Sequence, residues 1–387
     1  MPPGWRNSSV YLGTGAAPLL ACAGHRHEPC WRHRIVHRRI ALLGFASALV
    51  FPAAVGASGP VPVKVVIVTT FDEDYDNPEG TGEANGEASR WIERLHLAQV
   101  LPLPGAFRPI HMNADGVMEI MTGMATARAA ASTTALGLDP RFDLTRAYWI
   151  LAGTAGVDPA VASQGSAAWA EWVVDGDLSN YIDPREIPPG WPDGRIPWER
   201  TDPSDPPGPN EGQCYHLNAG LVHWAYGLTK DTPMPDSPGM AKFRALFTDF
   251  PEARRPPFVL IGDNLCSSTY WQGTLATRWA RRWVKLYTGG KGVFATTSCE
   301  DSGFLQAMTF LARDGKVDLR RVLILRVASD YCVPRPGVTS AESLRYGTDK
   351  AYMAEDEAFE SAYRVGSVVV REWVRNWPAY RDHIPGP

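Results

Sequence analysis

The chain has 387 residues, of which 44% are hydrophobic and 21% charged, and it carries a formal net charge of −4. This composition is ordinary for a globular protein with a large core, and it indicates neither a disordered chain nor a disulfide scaffold. Residues 58–387 contain 32 basic and 41 acidic residues, a formal charge of −9. Nucleic acids and anionic membranes are therefore not expected as partners, because their phosphates bind basic surfaces.

The first 57 residues have the pattern of a secretory leader. An apolar run over 40–55 ends in the small residues Val55, Gly56 and Ala57, and a basic run precedes it: Arg32, Arg34, Arg38 and Arg39. This order predicts a signal cleaved after Ala57, and hence export to the periplasm or the extracellular medium, with residues 1–35 as an over-extended start of the reading frame. An uncleaved anchor is the alternative, although the apolar run is shorter than the ~20 residues of a spanning helix and no longer run follows.

Residues 58–387 are predicted to form one α/β domain, because strand patterns alternate with helical patterns. Strands are predicted over 61–70, 116–121, 147–152, 169–174, 258–262, 293–297 and 321–328. Helices are predicted over 88–97, after a turn within 122–136, after a loop within 264–286, and over 299–312 and 354–376. Residues 183–209 are dense in proline and glycine and are predicted to form a long surface excursion.

Polar and glycine residues follow several of these strands. Ligands bind at the carboxyl ends of strands in such sheets, so these residues are candidates for a small-molecule site. We expect Gly153–Gly156 to be a turn that organises the site, and for a single acid such as Asp301 the alternative is a helix N-cap. The candidates are Asp72, Glu73, Asp74 and Asp76 after the first strand, Gly123, Met124 and Thr126 after the second, Gly153–Gly156 after the third, and Glu300, Asp301, Ser329 and Asp330 after the last two.

Five segments together resemble the purine nucleoside permease family, from residue 61 to the C-terminus. That family is in turn distantly similar to the nucleoside phosphorylases and nucleosidases. The resemblance implies a three-layer α/β/α fold with a central mixed sheet and a purine nucleoside as ligand. The segments are Val65-Val-Ile-Val-Thr-Thr-Phe-Asp72, Ile150-Leu-Ala-Gly-Thr-Ala-Gly-Val-Asp-Pro159, Gly262-Asp-Asn-Leu265, Thr297-Ser-Cys-Glu-Asp-Ser-Gly303 and Arg326-Val-Ala-Ser-Asp330.

The same resemblance implies roles by position. Asp330 falls where the superfamily keeps an acid that protonates or hydrogen-bonds purine N7, which makes the base a better leaving group. Asp301 falls where an acid holds the ribose hydroxyls, and Glu300 replaces a methionine that packs on the sugar. Thr154 falls where a hydroxyl and backbone amides bind phosphate. Further candidate contacts are Gly123, Met124, Gly153, Asn264 and Ser329, with Tyr270, Trp271 and Phe304 as aromatic candidates for stacking on a base.

Two departures from the bacterial phosphorylases favour hydrolysis over phosphorolysis. Leu151 stands where those enzymes place an arginine, and the first loop carries acids where theirs carries glycine and arginine. A phosphate dianion would meet carboxylates there, which is electrostatically unfavourable. An acid in that loop, Asp72 or Glu73, is instead suited to activating water. Arg128 remains a possible source of positive charge, so phosphate stays open as a partner.

Three functions therefore remain open at this stage. The protein is predicted to cleave purine nucleosides with water. It is alternatively a nucleoside-binding component that works with a membrane transporter, or a phosphate-dependent phosphorylase. Assembly with further copies of the chain is also open. We expect no metal and no cofactor, because neither the histidines nor Cys214, Cys266, Cys299 and Cys332 have metal-site spacing, and those cysteines are either free or form disulfides.

Overall fold

The computed structural model of the chain describes residues 59–72, 86–209, 212–346 and 354–386. The predicted leader and the candidate acids Glu73, Asp74 and Asp76 lie outside the described residues. Within the four described ranges, no helix has both the length and the apolar character that crossing a membrane requires.

The elements are numbered in chain order. The strands are β1 (Val61–Pro62), β2 (Val65–Thr69), β3 (Gln99–Leu101), β4 (Ile110–Met112), β5 (Val117–Met121), β6 (Phe142–Asp143), β7 (Tyr148–Val157), β8 (Ala167–Trp169), β9 (Trp172–Asp175), β10 (Ser179–Tyr181), β11 (Arg195–Pro197), β12 (Cys214–His216), β13 (Val259–Ile261), β14 (Asp263–Cys266), β15 (Phe294–Ser298) and β16 (Val322–Tyr331). The α-helices are α1 (Ser89–Arg94), α2 (Thr126–Gly137), α3 (Ala219–Thr229), α4 (Pro238–Arg244), α5 (Thr274–Tyr287), α6 (Asp301–Arg313), α7 (Ser340–Tyr346), α8 (Glu355–Arg375) and α9 (Trp377–Tyr380).

The described strands form one large mixed sheet and two small pairs. The main path of the large sheet runs β12-β9-β14-β15-β7-β2-β5-β4-β3, and β16 joins it through β7 and β8. Strand β7 lies parallel to both β2 and β16, whereas its last residues pair antiparallel with β15. The sheet is therefore mixed, as predicted, and β7 is its centre.

Helices cover both faces of this sheet. Successive residues of β7 point to opposite faces. Tyr148 stacks on Trp373 of α8, with ring centroids 4.5 Å apart, whereas Trp149 packs against Phe304 of α6 at 6.1 Å. Helices α8 and α6 thus lie on opposite sides of β7, and the predicted three-layer α/β/α arrangement is confirmed.

Small residues let α2 and α6 approach each other closely. A side chain at Gly303 would collide with the backbone of Thr126, and one at Gly137 would collide with Leu311. Because Thr126 and Asp301 are the first residues of the two helices, this packing brings both helix N-termini together. The same packing places them beside the carboxyl ends of the strands.

The segment 264–286 is predicted to be a loop followed by a helix, and the structure confirms this order, with α5 beginning at Thr274. The first residues differ, because Asp263–Cys266 form the buried strand β14. Aspartate and asparagine are rare in strands, so this short segment has no strand signal. Its pairing with β9 and β15 on either side provides the stabilisation that propensity lacks.

The Gly153–Gly156 segment is not the predicted turn. Strand β7 continues through it to Val157, and its pairing with β16 extends to the same residue. Neither glycine has a positive φ. The glycines are therefore required by close packing rather than by a turn.

Candidate functional site

A cleft of about 170 Å³, open to solvent, lies at the carboxyl ends of β2, β7, β15 and β16. The segments that precede α1, α2 and α6 and the first residue of α8 also line the cleft. It is lined by Thr70, Phe71, Glu87, Met124, Thr154, Ala155, Gly156, Tyr270, Thr297, Ser298, Cys299, Glu300, Ser329, Asp330 and Glu355.

Glu87 occupies a cradle built for an anion. Its Oε2 accepts hydrogen bonds from the Thr70 N–H (2.7 Å), the Thr70 hydroxyl (3.0 Å) and the Phe71 N–H (3.1 Å). Its Oε1 accepts from the Thr154 N–H (2.6 Å) and the Thr154 hydroxyl (3.0 Å). Converging backbone amides form an anion-binding concavity. We call these donor groups of Thr70, Phe71 and Thr154 the anion cradle, and a carboxylate of the chain itself fills it.

A buried guanidinium lies beside the cradle. Arg326 is 1% exposed and is the register partner of Gly153 across β16 and β7. Its Nη2 donates to Glu300 at 2.8 Å, its Nε to Asp301 at 3.0 Å and its Nη1 to the carbonyl of Thr154 at 3.0 Å. These partners satisfy a charge that would otherwise be costly to bury. Arg326 therefore holds Glu300 and Asp301 in place.

Gly153 is the point where these two groups meet. A Cβ atom there would lie 2.6 Å from Nη1 of Arg326 and 2.8 Å from Oε1 of Glu87. Both side chains are buried and bonded, so neither can withdraw freely. The glycine is thus explained by close approach and not by backbone conformation.

We expect Gly153→Ala to destabilise the fold by ~1–3 kcal/mol, the usual result of forcing a methyl group into a packed site. Chemical denaturation measures this change. Gly227→Ala is the matched control, because Gly227 lies in α3 and a Cβ atom added there would meet no heavy atom within 4 Å. Alanine is favoured over glycine in a helix, so the control should be neutral or slightly stabilising. Equal stability of the two variants would contradict the role given to Gly153.

A β-bulge aims Asp330 into the cleft. Ala328 pairs with Ala155 and Asp330 with Gly156, so Ser329 is the extra residue in β16. Bulges redirect side chains in this way. Asp330 is 8% exposed, and it accepts hydrogen bonds from the hydroxyls of Tyr270 (2.7 Å) and Ser329 (3.3 Å).

The surroundings of Asp330 favour its protonated form. Burial raises the pKa of Asp330, and the hydrogen bonds from Tyr270 and Ser329 only partly oppose this effect. A carboxyl group with a raised pKa can act as a proton donor near neutral pH. Asp330 therefore has the position and the environment of a general acid.

Glu300, rather than Asp301, is the acid that faces the cleft. Asp301 is fully buried and does not line it; its carboxylate accepts hydrogen bonds from Arg326 and from the Asn264 amide. Asp301 also does not act as the N-cap, since its side chain turns toward the sheet. Glu300 lines the cleft and accepts the N–H of Ala125 at 3.3 Å. Burial raises the pKa of Glu300, while Arg326 opposes this shift.

The structure does not bring Asp72, a candidate for activating water, or Asn264, a candidate contact, to the cleft. Asp72 is fully buried, and its Oδ2 pairs with Nη2 of Arg108 at 3.3 Å. Asn264 lies beneath the cleft, bonded to Asp301 and to the Ser298 hydroxyl (2.7 Å). Asp72 and Asn264 thus belong to the layer that supports the lining residues.

The segment before α2 is the predicted turn. Gly123 has φ of 82°, a conformation that favours glycine, and Met124 follows it into the cleft. Gly123 itself packs against Phe107, whose ring is also covered by Arg128, with the guanidinium 5.1 Å from the ring centroid. Arg128 does not line the cleft.

Among the aromatic candidates, only Tyr270 lines the cleft. Phe304 is fully buried against the sheet in the main core. Trp271 packs against Trp279, with ring centroids 5.9 Å apart. Phe304 and Trp271 therefore do not line this cleft.

The cysteines and the potential metal ligands are placed as follows in the described part of the chain. Cys214, Cys266, Cys299 and Cys332 are free thiols there. Cys299 lines the cleft, but burial raises the pKa of its thiol to about 12, so it stays neutral. Among the residues with described coordinates, no group of three or more His, Cys, Asp or Glu side chains is placed to hold a metal ion.

Sequence reasoning missed two charged residues of this site. Glu87 follows the acidic loop and precedes α1, so it does not stand at a strand end. Arg326 lies inside β16, where side chains are usually apolar core. The pairing of Arg326 with Gly153 across β16 and β7 is the signal that could have placed Arg326 at the site. This strand register is not visible in a single sequence.

Solved structures with a related architecture include two nucleosidases. A 5'-methylthioadenosine/S-adenosylhomocysteine nucleosidase of Helicobacter pylori has a TM-score of 0.47 and 12% identity, covering 81% of this chain and 100% of that one. The corresponding nucleosidase of Streptococcus pneumoniae has a TM-score of 0.45 and 13% identity, covering 80% and 99%. Likeness of this degree carries no argument about the site.

Sequence comparison is more specific. A probable purine nucleoside permease of Schizosaccharomyces pombe is 29% identical over 346 residues, which cover 85% of this chain and 94% of that protein. A purine nucleoside permease of Candida albicans is 29% identical over 300 residues, covering 75% and 73%. The sequence profile described as purine nucleoside permease (NUP) matches residues 62–385. The chain therefore belongs to the purine nucleoside permease family.

Proposed function

We propose that this protein binds purine nucleosides in the cleft and cleaves their N-glycosidic bond with water. The observation that carries the proposal is the carboxylate of Glu87, which fills the anion cradle between β2 and β7. Family membership and the names of the two relatives support purine nucleosides as the ligand class.

Asp330 is the proposed general acid. A purine leaves as a neutral base only if a proton reaches it, and N7 is a ring nitrogen that accepts one. Burial raises the pKa of Asp330, which favours its proton-donating form. General acid catalysis of this kind contributes typically ~10²–10⁴-fold.

Glu87 and Glu300 are proposed to face the sugar. Breaking a glycosidic bond builds positive charge on the ring carbon and oxygen, and carboxylates held in a low-dielectric cleft stabilise that charge. Glu87 is also proposed to accept the proton of the attacking water. Two of its donors are the hydroxyls of Thr70 and Thr154, which can rotate and give place to a water molecule.

The same acids oppose phosphorolysis. Phosphate would have to enter the anion cradle, which already holds the Glu87 carboxylate, and it would lie beside Glu300 as well. The Arg326 guanidinium lies beside the cradle, but Glu300 and Asp301 already neutralise it. Repulsion between two like charges about 4 Å apart amounts to several kcal/mol in a partly buried site.

A direct assay tests the proposal. The protein that begins after Ala57 is incubated with inosine or adenosine, with and without phosphate, and free base is measured. We expect base release at the same rate in both buffers. Release that requires phosphate would contradict the role of Glu87 and indicate a phosphorylase.

A second candidate function rests on the family name. The protein would then bind nucleoside for a membrane transporter without cleaving it, as an exported component. Tight binding of inosine with no base release in either buffer is the result that this function predicts. The predicted leader supports an exported location for either function.

A further inference from the structure

Tyr270 lies where the base of a nucleoside would have to reach Asp330. It stands in the segment 267–273 that joins β14 to α5. Its hydroxyl donates to Oδ2 of Asp330 at 2.7 Å, and the hydroxyl of Ser329 approaches Oδ1 at 3.3 Å. Each carboxyl oxygen of Asp330 therefore already accepts one hydrogen bond, and a ligand that reaches Asp330 competes with these hydroxyl groups for the space around it.

The two partners differ in their freedom to move. Ser329 is 4% exposed, and its carbonyl accepts the Ala354 N–H (3.0 Å) and the Gln164 side-chain amide (2.7 Å). Tyr270 is 51% exposed and belongs to a connecting segment. The tyrosine is thus the partner that can leave.

Tyr270 also borders a second cavity. A more enclosed space of about 20 Å³, enough for about one water molecule, lies next to the cleft and is lined by Tyr270 and Asp330 together with Thr269, Trp271 and Cys332. Tyr270 and Asp330 line both spaces. Movement of the tyrosine ring would join the two spaces and widen the cleft beside Asp330 and Trp271.

We propose that Tyr270 is a specificity-determining gate, which covers Asp330 until a purine base displaces it. This inference rests on the proposed purine site. The gate predicts that every ligand that reaches Asp330 binds more weakly than it would without the Tyr270 hydroxyl. A ligand that occupies only the sugar end of the cleft should be unaffected.

The test compares Tyr270→Phe with the wild-type protein in binding hypoxanthine and ribose, by calorimetry. Removing a hydrogen bond worth ~0.5–1.5 kcal/mol should tighten hypoxanthine binding about 2- to 12-fold and leave ribose binding unchanged. Tyr181→Phe is the matched control, because Tyr181 is 60% exposed on β10 and does not line the cleft.

Binding kinetics give a second readout. If the gate must open first, the observed rate of hypoxanthine binding in stopped-flow fluorescence levels off at high concentration. Tyr270→Phe should raise that plateau, and Tyr181→Phe should not.

The outcomes separate the gate from the function on which it rests. Hypoxanthine binding that is unchanged or weaker in Tyr270→Phe overturns the gate and leaves the purine site intact. Absence of hypoxanthine binding in the wild type and in both variants overturns the purine site and the gate together.

Discussion

Glu87→Ala is expected to slow hydrolysis strongly and to open the site to phosphate. The substitution removes the carboxylate from the anion cradle but leaves the N–H and hydroxyl groups of Thr70 and Thr154 in place. Loss of the proposed base should lower base release ~10²–10⁴-fold. The emptied cradle has donors but no acceptor, and these are the groups that bind a phosphate dianion at a nest of backbone amides.

Thermal unfolding in phosphate measures the second effect. Ligand at 100 times its Kd stabilises a protein by ~2.7 kcal/mol, so phosphate should raise the Tm of Glu87→Ala and leave that of the wild type unchanged. Glu93→Ala is the matched control, since Glu93 is an exposed acid of α1. If phosphate stabilises the wild type as much as Glu87→Ala, the cradle is not closed by Glu87.

Asp330→Asn is expected to lower base release ~10²–10⁴-fold while nucleoside binding persists. Asparagine has nearly the same shape and can still accept the Tyr270 hydroxyl, but it has no acidic proton to give to the base. The wild-type rate should fall as pH rises through the raised pKa of Asp330, because the acid is then ionised. The residual rate of Asp330→Asn should not decrease over the same pH range.

Stability provides the control for the same substitution. The pKa of Asp330 is higher in the folded protein than in the unfolded chain, so protonation of Asp330 stabilises the fold. This contribution to the free energy of unfolding is complete below the unfolded-state pKa and is lost as pH rises through the folded-state pKa. Asp330→Asn should therefore unfold at the same Tm or higher at neutral pH. Asp314→Asn, at the exposed end of α6, should change neither rate nor Tm. Full activity of Asp330→Asn would show that another group protonates the base.

The layered fold was predictable because strand and helix periods are local. The strand patterns at 147–152 and 321–328 correspond to the first parts of β7 and β16. The continuation of β7 to Val157 was not predictable, since Gly153 and Gly156 resemble a turn in sequence. Only pairing with β15 and β16 keeps this segment extended.

The site was predictable where its residues lie near the carboxyl ends of strands, and not elsewhere. Asp330, Thr154 and Glu300 line the cleft. The choice between Glu300 and Asp301 depended on Asn264, which lies beneath the cleft and bonds Asp301, whereas Arg326 bonds both acids. Glu87 was missed because the chain brings it back to Thr70 across 17 residues.

Cleavage in H₂¹⁸O tests the central claim most directly. The wild-type protein that begins after Ala57 is given inosine in labelled water that contains phosphate, and the sugar product is analysed by mass spectrometry. Attack by water at the anomeric carbon predicts free ribose that carries one ¹⁸O atom at C1 from the moment of release. Ribose 1-phosphate without label, or intact inosine, would contradict the proposed hydrolysis.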